Sequence, residues 1–155
     1  MGSNAAVLHF TPSGRRAQPG DVVLVDAGAE IGRYTADVTR TYRLPGGDDG
    51  FFRSLHGLVQ RVEQHAIARC RPGAEWRDIH LSAALEIAEG LVSLGILVGA
   101  PESLVERDTH ALFFPHGLGH MVGLGVRDAS GYLPGRVRSD RPGLSMLRTD
   151  LPLEQ

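Results

Sequence analysis

The chain has 155 residues, of which 42% are hydrophobic and 22% charged, and its net charge is -2. These values are typical of one globular domain, and they exclude the strongly basic surface of a nucleic-acid-binding protein. No apolar run is long enough to cross a membrane, so we expect no membrane partner. The single cysteine, Cys70, excludes an internal disulfide framework and indicates a reducing, cytoplasmic compartment.

Residues 4–10 form a short apolar segment that ends before Pro12, and we expect a strand here. His9 lies inside this segment. A single histidine in an apolar strand is most often a buried core residue, so the pattern alone assigns it no function.

Two candidate strands follow, each with one aspartate. Residues 22–25 are a continuous apolar run, which predicts a buried strand leading into Asp26. Residues 34–44 alternate between two faces, and Asp37 lies on the face that carries the threonines. If an antiparallel hairpin brings the two carboxylates face to face, their repulsion requires a proton or a cation between them.

These aspartates permit two interpretations. Hard carboxylate oxygens suit Mn or Mg, which makes Asp26 and Asp37 a candidate two-metal site. Alternatively, Asp26 is a turn residue before Ala27-Gly28, and Asp37 is a solvated strand residue. On these residues alone the second interpretation is favoured.

Two amphipathic helices are expected after the hairpin. The first has an N-cap at Asp48 or Asp49 and ends before Pro72-Gly73, and the second runs from about residue 75 to 94. Apolar residues at three- and four-residue steps should face the core. They are Phe51, Leu55, Leu58, Val62 and Ala66 in the first helix, and Ile79, Ala83, Ala84, Ile87, Ala88 and Leu91 in the second.

Two histidines, His116 and His120, lie four residues apart in a glycine-rich segment. Pro115 and the glycines argue against a helix, but residues four apart also share a face of an extended segment. The two imidazoles can therefore converge, and imidazole nitrogen binds Mn, Co and Zn. The alternative, a turn with two incidental histidines, is less favoured.

Together, three stretches resemble the prolidase and Xaa-Pro aminopeptidase branch of the pita-bread metallopeptidases. They are Asn4-Ala-Ala-Val-Leu-His9, then Val25-Asp26-Ala-Gly-Ala with Asp37-Val-Thr-Arg-Thr, and Pro115-His-Gly-Leu-Gly-His120 with Gly-Val-Arg-Asp128. The resemblance implies an α+β, partial pita-bread fold, in which helices pack on one face of an antiparallel sheet. It also implies one incomplete catalytic domain over residues 1–155, with the C-terminal part missing.

The resemblance also implies roles for particular residues. Asp26, Asp37 and His120 would bind two divalent metal ions, with Asp37 bridging them; Mn is expected, and Co or Zn are alternatives. His116 would be a catalytic histidine and His9 a substrate-binding one. The implied reaction is hydrolysis of the bond between an N-terminal residue and proline by a metal-activated water. A proline-containing peptide is the expected partner.

The sequence departs from this family at two places. Arg127 replaces the histidine of a Val-His-Asp segment, and we expect its guanidinium to bind a substrate carboxylate. Two further metal-binding glutamates of the family follow a segment that would begin where this chain ends. We therefore expect a fragment, truncated at both ends, that forms a homo-oligomer through open strand edges. The alternatives are a metal-free creatinase-like hydrolase and a non-catalytic binding module or remnant.

Overall fold

The computed structural model describes residues 1–7, 10, 11, 13–128 and 141. They form two compact units, one of Met1–His56 with Val122–Val126 and one of Gly57–Met121 with the described residues from 127 onward. None of the helices in the described ranges combines the length and the apolar character needed to cross a bilayer. That residues 1–155 are one catalytic domain stays a prediction.

Antiparallel strand pairs form the first unit. Strand β1 (Val22–Ala27) pairs with β4 (Val38–Arg43), and the short strands β2 (Glu30–Ile31) and β3 (Tyr34–Thr35) pair with each other between them. The antiparallel hairpin that the sequence predicts is therefore present, but it contains a second, smaller hairpin.

The second predicted strand, over residues 34–44, is interrupted at Ala36 and Asp37. The Ala36 amide donates a hydrogen bond to the Ala29 carbonyl (2.9 Å), so the chain leaves the β1–β4 ladder here. Within the ladder, Asp26 lies opposite Thr39. The direct pairing of Asp26 with Asp37 across the strands, on which the metal interpretation depended, does not occur.

Burial of β1 differs from the prediction. Leu24 and Val25 are 43% and 44% exposed, although their apolar run predicts a buried strand. In the described part of the chain β1 has β4 as its strand neighbour, and a two-stranded ribbon leaves much of its apolar surface open.

The strand predicted for residues 4–10 is wrong for residues 4–6, and residues 8 and 9 lie outside the described residues. Gly2–Ala6 form a short 3-10 helix, and the Val7 amide donates to the Asn4 carbonyl (3.2 Å). Residues 2–7 thus form local backbone hydrogen bonds of the 3-10 type. His9 lies outside the described residues, and its predicted role in substrate binding stays a prediction.

Both predicted helices are confirmed. Helix α1 spans Gly50–Arg69 and α2 spans Trp76–Ser93; a short helix, α3 (Pro101–Glu106), and a 3-10 turn (Thr109–Leu112) follow. At the start of α1, the Asp48 carboxylate accepts a hydrogen bond from the Gly50 amide (3.0 Å), as expected of an N-terminal cap.

The core of the second unit lies between α1 and α2. Leu58 and Val62 of α1 cluster with Ala83 of α2, all at most 6% exposed. Phe51 is 62% exposed, contrary to prediction, because the first turn of α1 precedes the residues that contact α2. A Cβ on Gly90 would lie 2.3 Å from Leu58 Cδ1, so glycine lets the two helices touch at this point.

A polar contact also joins α1 to α2. The Glu86 carboxylate accepts hydrogen bonds from His65 Nδ1 (2.7 Å) and from the Arg69 guanidinium (2.8 Å). Burial raises the pKa of Glu86, but these two donors outweigh it and leave the pKa below its usual value. The carboxylate is therefore held ionised in this contact.

Candidate metal and substrate site

Asp26 and Asp37 line the same pocket of the first unit, a cavity of about 300 Å³. Asp26 is near the end of β1, and Asp37 lies in the gap between β3 and β4. The structure thus brings together the two aspartates that the sequence singled out. They meet because Asp37 lies in the gap between β3 and β4, and not because the two residues pair across the β1–β4 ladder. The other lining residues are Ala27, Gly28, Ala29, Glu30, Thr35, Ala36 and Val126.

Gly28 makes this arrangement possible. A Cβ at this position would lie 1.8 Å from the Ala36 carbonyl oxygen, a distance that excludes every other residue unless the backbone moves. This close approach places Ala36, the residue after β3, against Gly28, the residue after β1. It therefore places Asp37 beside the same cavity as Asp26.

A distant segment completes the pocket wall. Both the amide and the hydroxyl of Thr35 donate to the Gly123 carbonyl, at 2.9 and 3.0 Å. This attachment holds residues 122–126 in the first unit, where Val126 lines the cavity. Glu30, Thr35 and Val126 were not predicted as site residues, and the contact that brings Val126 to the pocket joins residues 88 positions apart.

His116 and His120 belong to the second unit. Each Nδ1 lies 2.9 Å from the carbonyl oxygen of the following residue, Gly117 or Met121. A carbonyl can only accept, so Nδ1 carries the proton in both rings. The lone pair of the neutral imidazole is therefore on Nε2 in each case.

This donor chemistry fits a divalent cation. Metal-binding histidines usually donate their other ring nitrogen to a carbonyl or carboxylate, as the Nδ1 of His120 does. The two aspartates provide the hard oxygens that Mn and Mg prefer. However, no three His, Cys, Asp or Glu side chains within the described ranges form a group that could hold a metal ion.

Aromatic side chains support the histidine segment. A Cβ on Gly119 would lie 3.4 Å from Trp76 Cζ2, so the indole contacts the backbone between the two histidines. His80 lies on the buried face of α2, four residues after Trp76, and is fully buried. This helical spacing is the sequence signal by which His80 could have been assigned to the core.

His110 is a second buried histidine, and its burial was not predicted from the sequence. It is 1% exposed in the 3-10 turn. Burial lowers its pKa below the usual value, although the charge of Asp108 acts to raise it. Its carbonyl accepts hydrogen bonds from the amides of Phe113 and Phe114, both at 2.9 Å. His110 therefore belongs to the structural support of the segment that leads to His116.

Comparison with known proteins assigns the fold. Escherichia coli aminopeptidase P superposes with a TM-score of 0.81 and 34% identity, over 92% of this chain and 32% of that one; solved forms include a zinc-substituted protein in complex with product. The α+β, partial pita-bread fold expected from the sequence is confirmed.

The sequence relatives are named as Xaa-Pro peptidases. A probable Xaa-Pro aminopeptidase of Metarhizium acridum is 46% identical over 132 residues, covering 85% of this chain and 26% of the relative. The Xaa-Pro dipeptidase of Homo sapiens is 36% identical over 152 residues, covering 96% and 31%. The sequence pattern of metallopeptidase family M24 matches residues 1–146.

The chain belongs to metallopeptidase family M24. It spans about a third or less of the length of the relatives that it matches. The predicted roles of His116, His120 and Arg127 stay predictions.

Proposed function

We propose that the chain takes part in metal-dependent hydrolysis of the peptide bond between an N-terminal residue and proline. The observation that carries this proposal is the shared pocket of Asp26 and Asp37 in a chain of family M24. The names of the relatives, Xaa-Pro aminopeptidase and Xaa-Pro dipeptidase, support this substrate class.

We assign the metal-binding roles to Asp26, Asp37 and His120. Two divalent ions bound there would supply the Lewis acidity that makes water a nucleophile near neutral pH. Mn is the metal that we propose, because it binds both hard carboxylate oxygens and imidazole nitrogen. Co and Zn are the alternatives. In His120, Nδ1 is engaged with the Met121 carbonyl, so Nε2 would be the ligand atom.

His116 and Arg127 would act on the substrate. With its proton on Nδ1, neutral His116 can accept a proton at Nε2, and the imidazolium can then donate Nε2–H to the developing oxyanion or to the leaving nitrogen. Arg127 follows Val126 of the pocket wall directly, and its guanidinium can bind a substrate carboxylate with two parallel hydrogen bonds.

The test measures Mn binding and Mn-dependent cleavage of Xaa-Pro dipeptides and tripeptides by this chain and two variants. Asp37→Ala removes a pocket carboxylate and should abolish both cleavage and metal binding. Asp49→Ala is the matched control, because Asp49 is a partly exposed aspartate that pairs with Arg53 and does not line the pocket. The single tryptophan, Trp76, contacts Gly119 beside His120, so its fluorescence should change when metal binds.

Cleavage that is lost in Asp37→Ala and kept in Asp49→Ala would support the proposal. An unmutated chain that binds no Mn, or equal loss in both variants, would contradict it.

One observation favours a second function, that of a non-catalytic binding module. Within the described ranges, no three ligand-type side chains form a metal site. Such a module would bind a proline-containing peptide with the same affinity in the presence of Mn or of a chelator, and without turnover. Calorimetry under both conditions separates the two functions.

A further inference from the structure

Three aromatic rings form a row that ends at His116. The ring of His80 lies against Phe114 with a centroid distance of 5.1 Å and an interplanar angle of 30°. The ring of Phe114 meets that of His116 at 5.0 Å and 88°, which is an edge-to-face contact. Both distances fall in the range in which aromatic rings attract each other.

The inner part of this row is buried and held by a backbone hydrogen bond. His80 is fully buried on α2, and Phe114 is 8% exposed. The Phe114 amide donates to the His110 carbonyl (2.9 Å), which ties its backbone to the preceding 3-10 turn. Phe114 therefore cannot turn away from His116 without disturbing the packing between α2 and this turn.

His116, in contrast, is exposed, and two contacts define its ring. The Nδ1–H donates to the Gly117 carbonyl at 2.9 Å, and the ring meets Phe114 at a right angle. A hydrogen bond alone leaves the ring free to tilt about the donor–acceptor line, since exposed side chains change rotamer readily. The edge-to-face contact with Phe114 restrains this tilt.

We propose that Phe114, backed by His80, is a positioning residue that sets the direction of Nε2 in His116. This inference rests on the proposed function, in which Nε2 of His116 exchanges a proton with the reacting groups. Phe114 itself touches no reacting atom; it acts through the ring that it orients. Its effect should therefore be on the geometry and tautomer of His116 and, through them, on kcat.

The test observes His116 directly by NMR, without reference to activity. In the unmutated chain, nuclear Overhauser effects should connect the ring protons of Phe114 and His116, and one tautomer, with the proton on Nδ1, should dominate when the ring is neutral. Phe114→Leu removes the ring but keeps an apolar side chain, and it should shift the His116 ring protons and mix the tautomers. Phe114→Tyr keeps the ring and should preserve both signals.

A matched control is available in α1, where Phe52 contacts His56 with a centroid distance of 5.4 Å. Phe52→Leu should shift the ring signals of His56 and leave those of His116 unchanged. The proposal is overturned if the Overhauser effect is absent in the unmutated chain. A folded Phe114→Leu protein with unchanged His116 signals would also overturn it. If that variant does not fold, the Overhauser effect and the tautomer of His116 in the unmutated chain still test the proposed ring contact and orientation.

The kinetic constants of the variants provide a second test. Phe114→Leu should lower kcat by about 10- to 100-fold with a KM within about twofold, and Phe114→Tyr should restore most of it. A rise in KM with an unchanged kcat would contradict a positioning role. If the chain cleaves no substrate, the proposed function fails, whereas the NMR result still tests the orientation of His116.

Discussion

Gly28 determines how closely the two halves of the pocket approach each other. A methyl group there would overlap the Ala36 carbonyl oxygen, since the Cβ would lie 1.8 Å from it. An overlap with backbone is relieved only by moving a strand end, and Asp26 and Asp37 lie at those ends. The geometry of the two aspartates therefore depends on the absence of a side chain at residue 28.

The first prediction concerns this glycine. Gly28→Ala should lower the free energy of unfolding by about 1–3 kcal/mol, as overpacking does, and should weaken Mn binding at least about tenfold. Urea unfolding and calorimetry measure the two effects.

Gly14→Ala is the control, because no atom lies within 4 Å of its added Cβ and its φ is not in the left-handed region. We expect a change below about 1 kcal/mol for it. Equal stability and equal Mn affinity in the two variants would show that the approach at residue 28 is not required.

At the scale of elements, a second glycine determines the contact between α1 and α2. Gly90 lies under Leu58, and a Cβ at this position would come within 2.3 Å of Leu58 Cδ1. Leu58 is 6% exposed and has little space to move into. The contact of these helices, on which the core of the second unit depends, therefore has glycine at its centre.

Gly90→Ala should destabilise the chain by about 1–3 kcal/mol, because overpacking outweighs the gain in helix propensity. Gly57→Ala, on α1, should instead stabilise it by about 0.5–1 kcal/mol, since its Cβ would meet only the flexible end of Arg61 at 3.6 Å. Combining Gly90→Ala with Leu58→Ala should cost less than the sum of the two single variants. Additive urea-unfolding energies would rule out the overlap.

At the scale of the whole molecule, the exposed sheet favours association. In the described part of the chain, β1 and β4 form a two-stranded sheet, and Val38 and Tyr42 of β4 are 48% and 56% exposed. Open edges and apolar faces of strands readily pair with another copy. We therefore keep the proposal of a homo-oligomer, with this sheet as its contact.

Sedimentation velocity over a range of concentrations tests this proposal. The unmutated chain should self-associate, and Tyr42→Lys should weaken the association at least about tenfold, because the charge would be buried at the contact. Val98→Lys changes a residue that is 91% exposed outside the sheet, and it should have no effect. A monomer at every concentration would refute the proposal.

The sequence by itself determined the two long helices and supplied the candidate site residues. Helix formation depends on local signals, such as the Asp48 cap and apolar residues at three- and four-residue steps, so α1 and α2 were predictable nearly to the residue. Side-chain chemistry is also a local property, so Asp26 and Asp37 could be named as candidate metal ligands, although only the family resemblance favoured that role over a structural one.

Only the tertiary structure decided how these parts are arranged. The pairing of Asp26 with Thr39 and the gap that carries Asp37 depend on contacts between separate strands. The hydrogen bonds from Thr35 to Gly123 span 88 positions, and no local pattern encodes such a contact. Strand register and pocket walls follow from long-range packing, which competes with local preference and here overrides it.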